Sequence, residues 1–165
     1  MEELIDVLPR VAAIGVGATA AMDAWLLGLR RMGVPTLDFG LLGRWVGHWR
    51  RGRWLHRPIA KSEPVRGEVA LGWLAHYATG IAFAGLLVGV AGVRWTQDPT
   101  PWPALALGLC TVAAPLFVMQ PAMGAGFAAS KTPTPARNCL RSLLNHAVFG
   151  LGLYLAAVAV ERLAA

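Results

Sequence analysis

The run VALGWLAHYATGIAFAGLLVGVAGV, residues 69–93, contains no Asp, Glu, Lys or Arg. About 20 apolar residues wound as a helix cross the hydrocarbon core of a bilayer. Three further stretches have the same character. They run over 11–29, ending at Arg30-Arg31; over 102–129, after the turn Asp98-Pro99-Thr100-Pro101; and over 140–160. Each must be helical, because lipid offers the backbone no hydrogen-bond partner. Abundant Gly and Ala in all four suits close helix packing in lipid. The predicted fold is all-α: an integral membrane four-helix bundle formed by residues 1–165 as a single transmembrane domain, with a basic interfacial loop over 30–68.

Composition agrees. Of the 165 residues, 56% are hydrophobic and 15% charged, where a soluble domain carries roughly a quarter charged. Mean hydropathy is +0.51. These values exclude a soluble fold and a disordered chain and weigh strongly against a water-soluble enzyme. Glu2, Glu3 and Asp6 stand where a secretory signal needs a basic n-region, so the first apolar segment reads as a retained span. Cys110 falls inside the third span and Cys139 at the start of the fourth. Different depths argue against a disulfide between them, and two isolated thiols form no zinc or redox motif.

The formal net charge of +6 would suggest nucleic acid in a soluble protein, but here position decides. Nine basic residues separate spans one and two: Arg30, Arg31, Arg44, Arg50, Arg51, Arg53, Arg57, Lys61 and Arg66. Lys131, Arg137 and Arg141 separate spans three and four, and only Arg10, Arg94 and Arg162 fall on the other side. That bias predicts both basic loops in the cytoplasm and both termini outside. Trp25, Trp73, Trp95 and Trp102 fall near span ends, as interfacial anchors do.

Within the first loop, Leu42, Trp45, Val46 and Trp49 recur at helical spacing, with Arg44, His48 and Arg51 on the opposite face. The pattern predicts a short amphipathic helix on the inner leaflet. Arg44, His48, Arg50, Arg51 and Arg53, with Trp45 and Trp49, would then meet anionic headgroups, at about 1 kcal/mol per basic charge. A positive-inside signal without any specific ligand explains the same arginines. The expected partner is the lipid bilayer, with a homo-oligomer or membrane partner open and nucleic acid not expected.

Several strings carry a resemblance. They are Gly15-Val-Gly-Ala-Thr-Ala-Ala-Met-Asp-Ala-Trp25, Gly43-Arg-Trp-Val-Gly-His48, Arg51-Gly-Arg-Trp-Leu-His56, and Gly72-Trp-Leu-Ala-His-Tyr77 with Gly80-Ile-Ala-Phe83. Met119-Gln-Pro-Ala-Met-Gly-Ala-Gly126, Ser130-Lys-Thr-Pro133, Arg141-Ser-Leu-Leu-Asn-His146 and Phe149-Gly-Leu-Gly-Leu-Tyr154 complete the set. Together they resemble the bacterial multi-pass membrane family catalogued as domain of unknown function 2938, over nearly the whole chain. The resemblance implies a bacterial inner-membrane location and four spans. It carries no established activity, so no catalytic residue follows from it.

An ionisable group inside a span is a functional candidate because it is costly there. Asp23, His76, Gln120 and His146 fall one per span, at similar depths below the cytoplasmic boundary. Thr19 lies one turn from Asp23, and Asn145 is adjacent to His146. Small residues flank each polar one at i, i+4 spacing, which marks helix-packing faces. Pro115 and Pro121 free the carbonyls of Thr111 and Phe117 and predict a kink beside Gln120, as at the broken helices of transporters, although prolines are also simply common in membrane helices.

Such a layer suits the binding or passage of a proton, a metal ion or a small solute. Asp23, His76 and His146 are the candidate metal ligands, and His76 with His146 the candidate axial pair for haem. The sequence does not specify a cofactor. The competing expectation is an accessory or scaffold protein whose polar layer only fixes helix packing. Gly85 and Gly89 offer that class a small-residue interface. No Walker loop or Gly-x-Ser-x-Gly occurs, and Ser62, Ser130 and Ser142 lack a base and oxyanion arrangement.

Overall fold

The computed structural model describes residues 2–164. The fold is all-helical, and no strand occurs among the described residues. Helix α1 spans Glu2–Arg31, α2 Phe39–Trp49, α3 Glu68–Ala91, α4 Pro101–Thr111, the short α5 Gln120–Met123, and α6 Pro135–Ala164. Between α4 and α5 the backbone widens into a π-helical segment, Ala114–Met119. Four stretches are long and apolar enough to cross a membrane: Val7–Arg31, Glu68–Ala91, Pro101–Met123 and Pro135–Ala164. This is a membrane protein with four spanning helices in a helical bundle.

The end of the third span and the start of the fourth depart most from the sequence expectation. The third span ends at Met123, not near 129, because Gly124 turns left-handed (φ 98°) and its N–H caps the carbonyls of Gln120 and Pro121. Hydropathy cannot register that stop, since the residues that follow are Gly-Ala-Gly-Phe-Ala-Ala. Ala128 and Ala129 then also take positive φ, at 49° and 58°, a region residues with a Cβ seldom occupy. The fourth helix starts early, at Pro135, whose fixed φ and missing N–H suit a first helical turn.

The chain divides into two compact units. The first comprises residues 1–34, 77–111 and 145–165. Its core, including Ile14, Ala18, Leu87, Ala104, Phe149 and Leu153, is drawn from α1, α3, α4 and α6. Backbones approach closely where glycines meet. A methyl group at Gly15 would stand 2.5 Å from Ile81 Cα, and one at Gly108 would stand 2.5 Å from Gly150 Cα. Large apolar side chains elsewhere on these helices, such as Leu27, Leu86, Val90 and Leu155, are exposed and form the surface that lipid covers.

The second unit comprises residues 35–76 and 112–144. Asp38 starts α2 by accepting from the N–H groups of Gly40 and Leu41 with its side chain. Helix α2 then crosses the start of α3 with nothing between the backbones: a Cβ at Gly43 would run into Glu68, and one at Gly72 into Phe39.

Gly15→Leu is expected to lower the thermal unfolding midpoint in detergent, through an overpacking cost of about 1–3 kcal/mol. Gly89, by contrast, meets nothing within 4 Å, so Gly89→Leu should leave the midpoint unchanged or higher. Equal losses in both variants would show that close glycine packing does not hold the first unit.

Candidate functional site

In the first unit the polar side chains of the spans are paired across helices. The Tyr77 hydroxyl donates to Asp23 Oδ2 at 2.9 Å, joining α3 to α1. The Trp25 indole donates to Asn145 Oδ1 at 2.9 Å, joining α1 to α6. Thr111 Oγ1 lies 2.8 Å from His146 Nδ1, joining α4 to α6. That hydroxyl also donates to the Gly108 carbonyl at 2.6 Å. The Thr111 hydroxyl thus sits between the Gly108 carbonyl and the His146 ring. Thr19 is buried and bonds back within its own helix, to the Gly15 carbonyl at 2.7 Å.

The remaining two members of the predicted layer, His76 and Gln120, belong to the second unit. The His76 ring packs against Phe39, with centroids 4.8 Å apart, and against the edge of Trp73 at 6.1 Å. Gln120 Nε2 reaches Ser142 Oγ at 3.5 Å, and its Oε1 is buried without a hydrogen-bond partner. Gln120 caps the π-helical segment, its N–H donating to the Pro115 carbonyl. The π-helical break, Ala114–Met119, thus takes in Pro115 and stops two residues before Pro121. Among the described residues, no three His, Cys, Asp or Glu side chains are grouped so as to hold a metal ion.

The basic loop is more tightly built than an amphipathic surface helix requires. Arg44 forms a two-pronged ion pair with Glu68, Nε to Oε2 and Nη2 to Oε1, both 2.8 Å. Its Nη1 donates to the carbonyls of Ala60 and Ser62, and the Glu68 carboxylate raises the guanidinium pKa further. Fixed oxygens thus take the place expected for a headgroup, because a planar fork matches a carboxylate in a way a mobile lipid does not. His48 is buried and faces the Glu63 carbonyl at 2.9 Å. Trp45 is buried and donates to the Trp54 carbonyl. Trp49 stacks on Trp54, with centroids 5.0 Å apart. Arg44, His48 and Trp45 are therefore structural, whereas Arg50, Arg51 and Arg53 are exposed, Arg51 in an ion pair with Glu63.

Sequence reasoning missed Tyr77, Thr111, Glu68 and His56 as partners. A buried indole or carboxylate requires an opposite number, but spacing alone does not say which residue supplies it. His56 is held by its N–H to the Ala122 carbonyl at 2.8 Å and by Nδ1 against Ser62 Oγ at 2.8 Å. Four buried side-chain atoms lack a partner among the described residues: His48 Nδ1, Trp49 Nε1, His56 Nε2 and Gln120 Oε1. All four belong to the second unit.

A family model described as "Protein of unknown function (DUF2938)" matches residues 12–160, and the chain belongs to that family. No curated protein and no solved structure matches it.

His56 lies outside the spans, and burial pushes its pKa below the ordinary 6.5. The Arg53 backbone pulls the other way, while the charges of His48 and Arg53 reinforce the depression. Between the lowered value and 6.5 the unfolded chain binds a proton that the folded chain refuses. This contribution to stability is present above 6.5 and is lost as pH falls through that window. The thermal midpoint should therefore drop between about pH 7.5 and pH 5.5, and His56→Gln should flatten the slope. An unchanged slope in the variant would assign the pH dependence to other groups.

Proposed function

We propose that this member of the DUF2938 family is a non-enzymatic inner-membrane protein that binds and passes a small cation or hydrogen-bond-donating solute at its broken third span. The observation that carries the reading is the Gln120 side-chain amide oxygen, Oε1, buried with no donor beside a π-helical segment. A buried acceptor without a partner costs about 1–3 kcal/mol, and a cation or an N–H or O–H group would relieve that cost. Single π turns inside α-helices occur frequently at functional sites. Irregular backbone at membrane depth is tolerated where it is buried in protein or lines a cavity.

The charge bias supports an orientation with both basic loops in the cytoplasm and both termini outside. The exposed Arg50, Arg51 and Arg53 are then the groups offered to anionic headgroups on the inner leaflet.

A second reading, an accessory protein whose polar residues only fix helix packing, is favoured by the three cross-helix pairs Asp23–Tyr77, Trp25–Asn145 and Thr111–His146. Polar contacts of this kind contribute about 0.6 kcal/mol each between membrane helices.

The test is ion-jump electrophysiology on proteoliposomes challenged in turn with protons, Na⁺, K⁺ and methylammonium. The expected result is a current above that of protein-free liposomes that falls about tenfold in Gln120→Leu, the worth of one hydrogen bond to a charged group. Tyr77→Phe should lower only thermal stability. A wild-type protein silent to every jump would overturn the passage reading and leave the packing role.

A further inference from the structure

Just past α2, the basic loop presents an apolar tip that neither the passage reading nor the packing reading uses. Gly52, left-handed at φ 67°, makes a turn that the Arg53 N–H closes on the His48 carbonyl. Trp54 and Leu55 follow, 54% and 75% exposed. The chain is fixed on both sides of them. The Trp54 carbonyl accepts from the Trp45 indole at 2.9 Å, and the Trp54 ring stacks on Trp49. The His56 N–H donates to the Ala122 carbonyl at 2.8 Å. Two adjacent large apolar side chains are thus presented by an anchored backbone.

The bond to Ala122 also sets the depth of the tip. Ala122 is the penultimate residue of the third span, Pro101–Met123. Just beyond it, a Cβ at Gly124 would stand 2.8 Å from the His56 carbonyl oxygen and 2.9 Å from Pro58 Cα, so loop and span end are in direct backbone contact. Leu55 and Trp54 are one and two residues from His56, and Arg53 lies no more than about 10 Å from it along the chain. The tip therefore stands where the third span leaves the hydrocarbon. Tryptophan concentrates at that level of a membrane protein, with its amphipathic ring among the headgroups.

Charge selects the lipid. Arg50, Arg51, Arg53 and Arg57 border the tip and are exposed. Glu63 is taken by Arg51 and Glu68 by Arg44, and Arg50, Arg53 and Arg57 have no ion pair among the described residues. Guanidinium groups match phosphate oxygens. An acidic protein surface would answer the arginines but not an apolar pair at the acyl boundary. We infer that residues 50–57 are a docking surface for anionic phospholipid, which Trp54 and Leu55 enter while Arg53 and Arg57 meet headgroup phosphates. The inference rests on the headgroup reading of Arg50, Arg51 and Arg53 and adds to it an inserted apolar tip.

The test uses the full-length protein in vesicles of phosphatidylcholine and phosphatidylglycerol, with one or the other lipid brominated near the glycerol end of its acyl chains. The difference in emission between wild type and Trp54→Phe, which keeps an aromatic ring against Trp49, isolates Trp54. That signal should be quenched by both lipids and more strongly by brominated phosphatidylglycerol. The preference should fall about fivefold in each of Arg53→Gln and Arg57→Gln, the worth of one basic residue at an anionic surface. Leu55→Asp, at a side chain too exposed to disturb packing, should abolish the quenching. A Trp54 signal untouched by either lipid would overturn the inserted tip, and a preference for phosphatidylglycerol in the remaining emission would then leave the headgroup reading standing. Equal quenching by the two lipids would overturn both. No ion gradient is imposed, so silence in the ion-jump assay has no bearing on the outcome.

Discussion

Hydrocarbon neither donates nor accepts a hydrogen bond, so every polar group carried into a bilayer must find its partner within the protein. In the first unit three pairs meet that demand across neighbouring helices: carboxylate with phenol, indole with amide, imidazole with hydroxyl. Glycines make those meetings possible by bringing backbones together, as where Gly108 faces Gly150. Direct contact does the work of orientation that a hydrophobic core does in water, because apolar side chains gain little from leaving lipid.

The second unit meets the demand differently and less completely. Its strongest interaction is the two-pronged Arg44–Glu68 pair, in which Glu68 also accepts from the Val65 N–H. One carboxylate thereby fixes both the start of α3 and the lie of α2. In the same unit, His48, Trp49, His56 and Gln120 each leave a buried polar atom without a partner among the described residues. Such atoms are costly, and native proteins retain few without a reason. Their confinement to one unit separates a satisfied bundle from a region with unspent binding capacity. The passage reading starts from that asymmetry.

Much of this was legible in sequence. Uninterrupted apolar length gave four spans, and Pro115 with Pro121 located the broken helix. What hydropathy could not supply was the end of the third span, because Gly124 stops it by backbone conformation amid apolar neighbours. The site was legible as a set of residues but not as a set of pairs. Asp23 and His146 stood out because charge is rare in a span, whereas Tyr77 and Thr111 did not, since neutral hydroxyls are ordinary there. Arg44 was misread for a related reason. Helical spacing put it on a polar face, but it does not reveal that Glu68, twenty-four residues on, reaches that face. His48 looked like a surface side chain because the loop around it reads as polar.

The Arg44–Glu68 latch has a bearing on biogenesis. Lysine and arginine govern how a nascent span is oriented, and acidic residues count for little in that choice. In the proposed orientation, with the first loop in the cytoplasm, all nine of its basic residues bear on its retention while the ribosome is still delivering the chain. After folding, Glu68 and Glu63 neutralise Arg44 and Arg51. The electrical identity that the translocation machinery reads is thus larger than the one the mature protein displays. An arginine can serve first as a topogenic signal and later as a rivet, with no change in sequence.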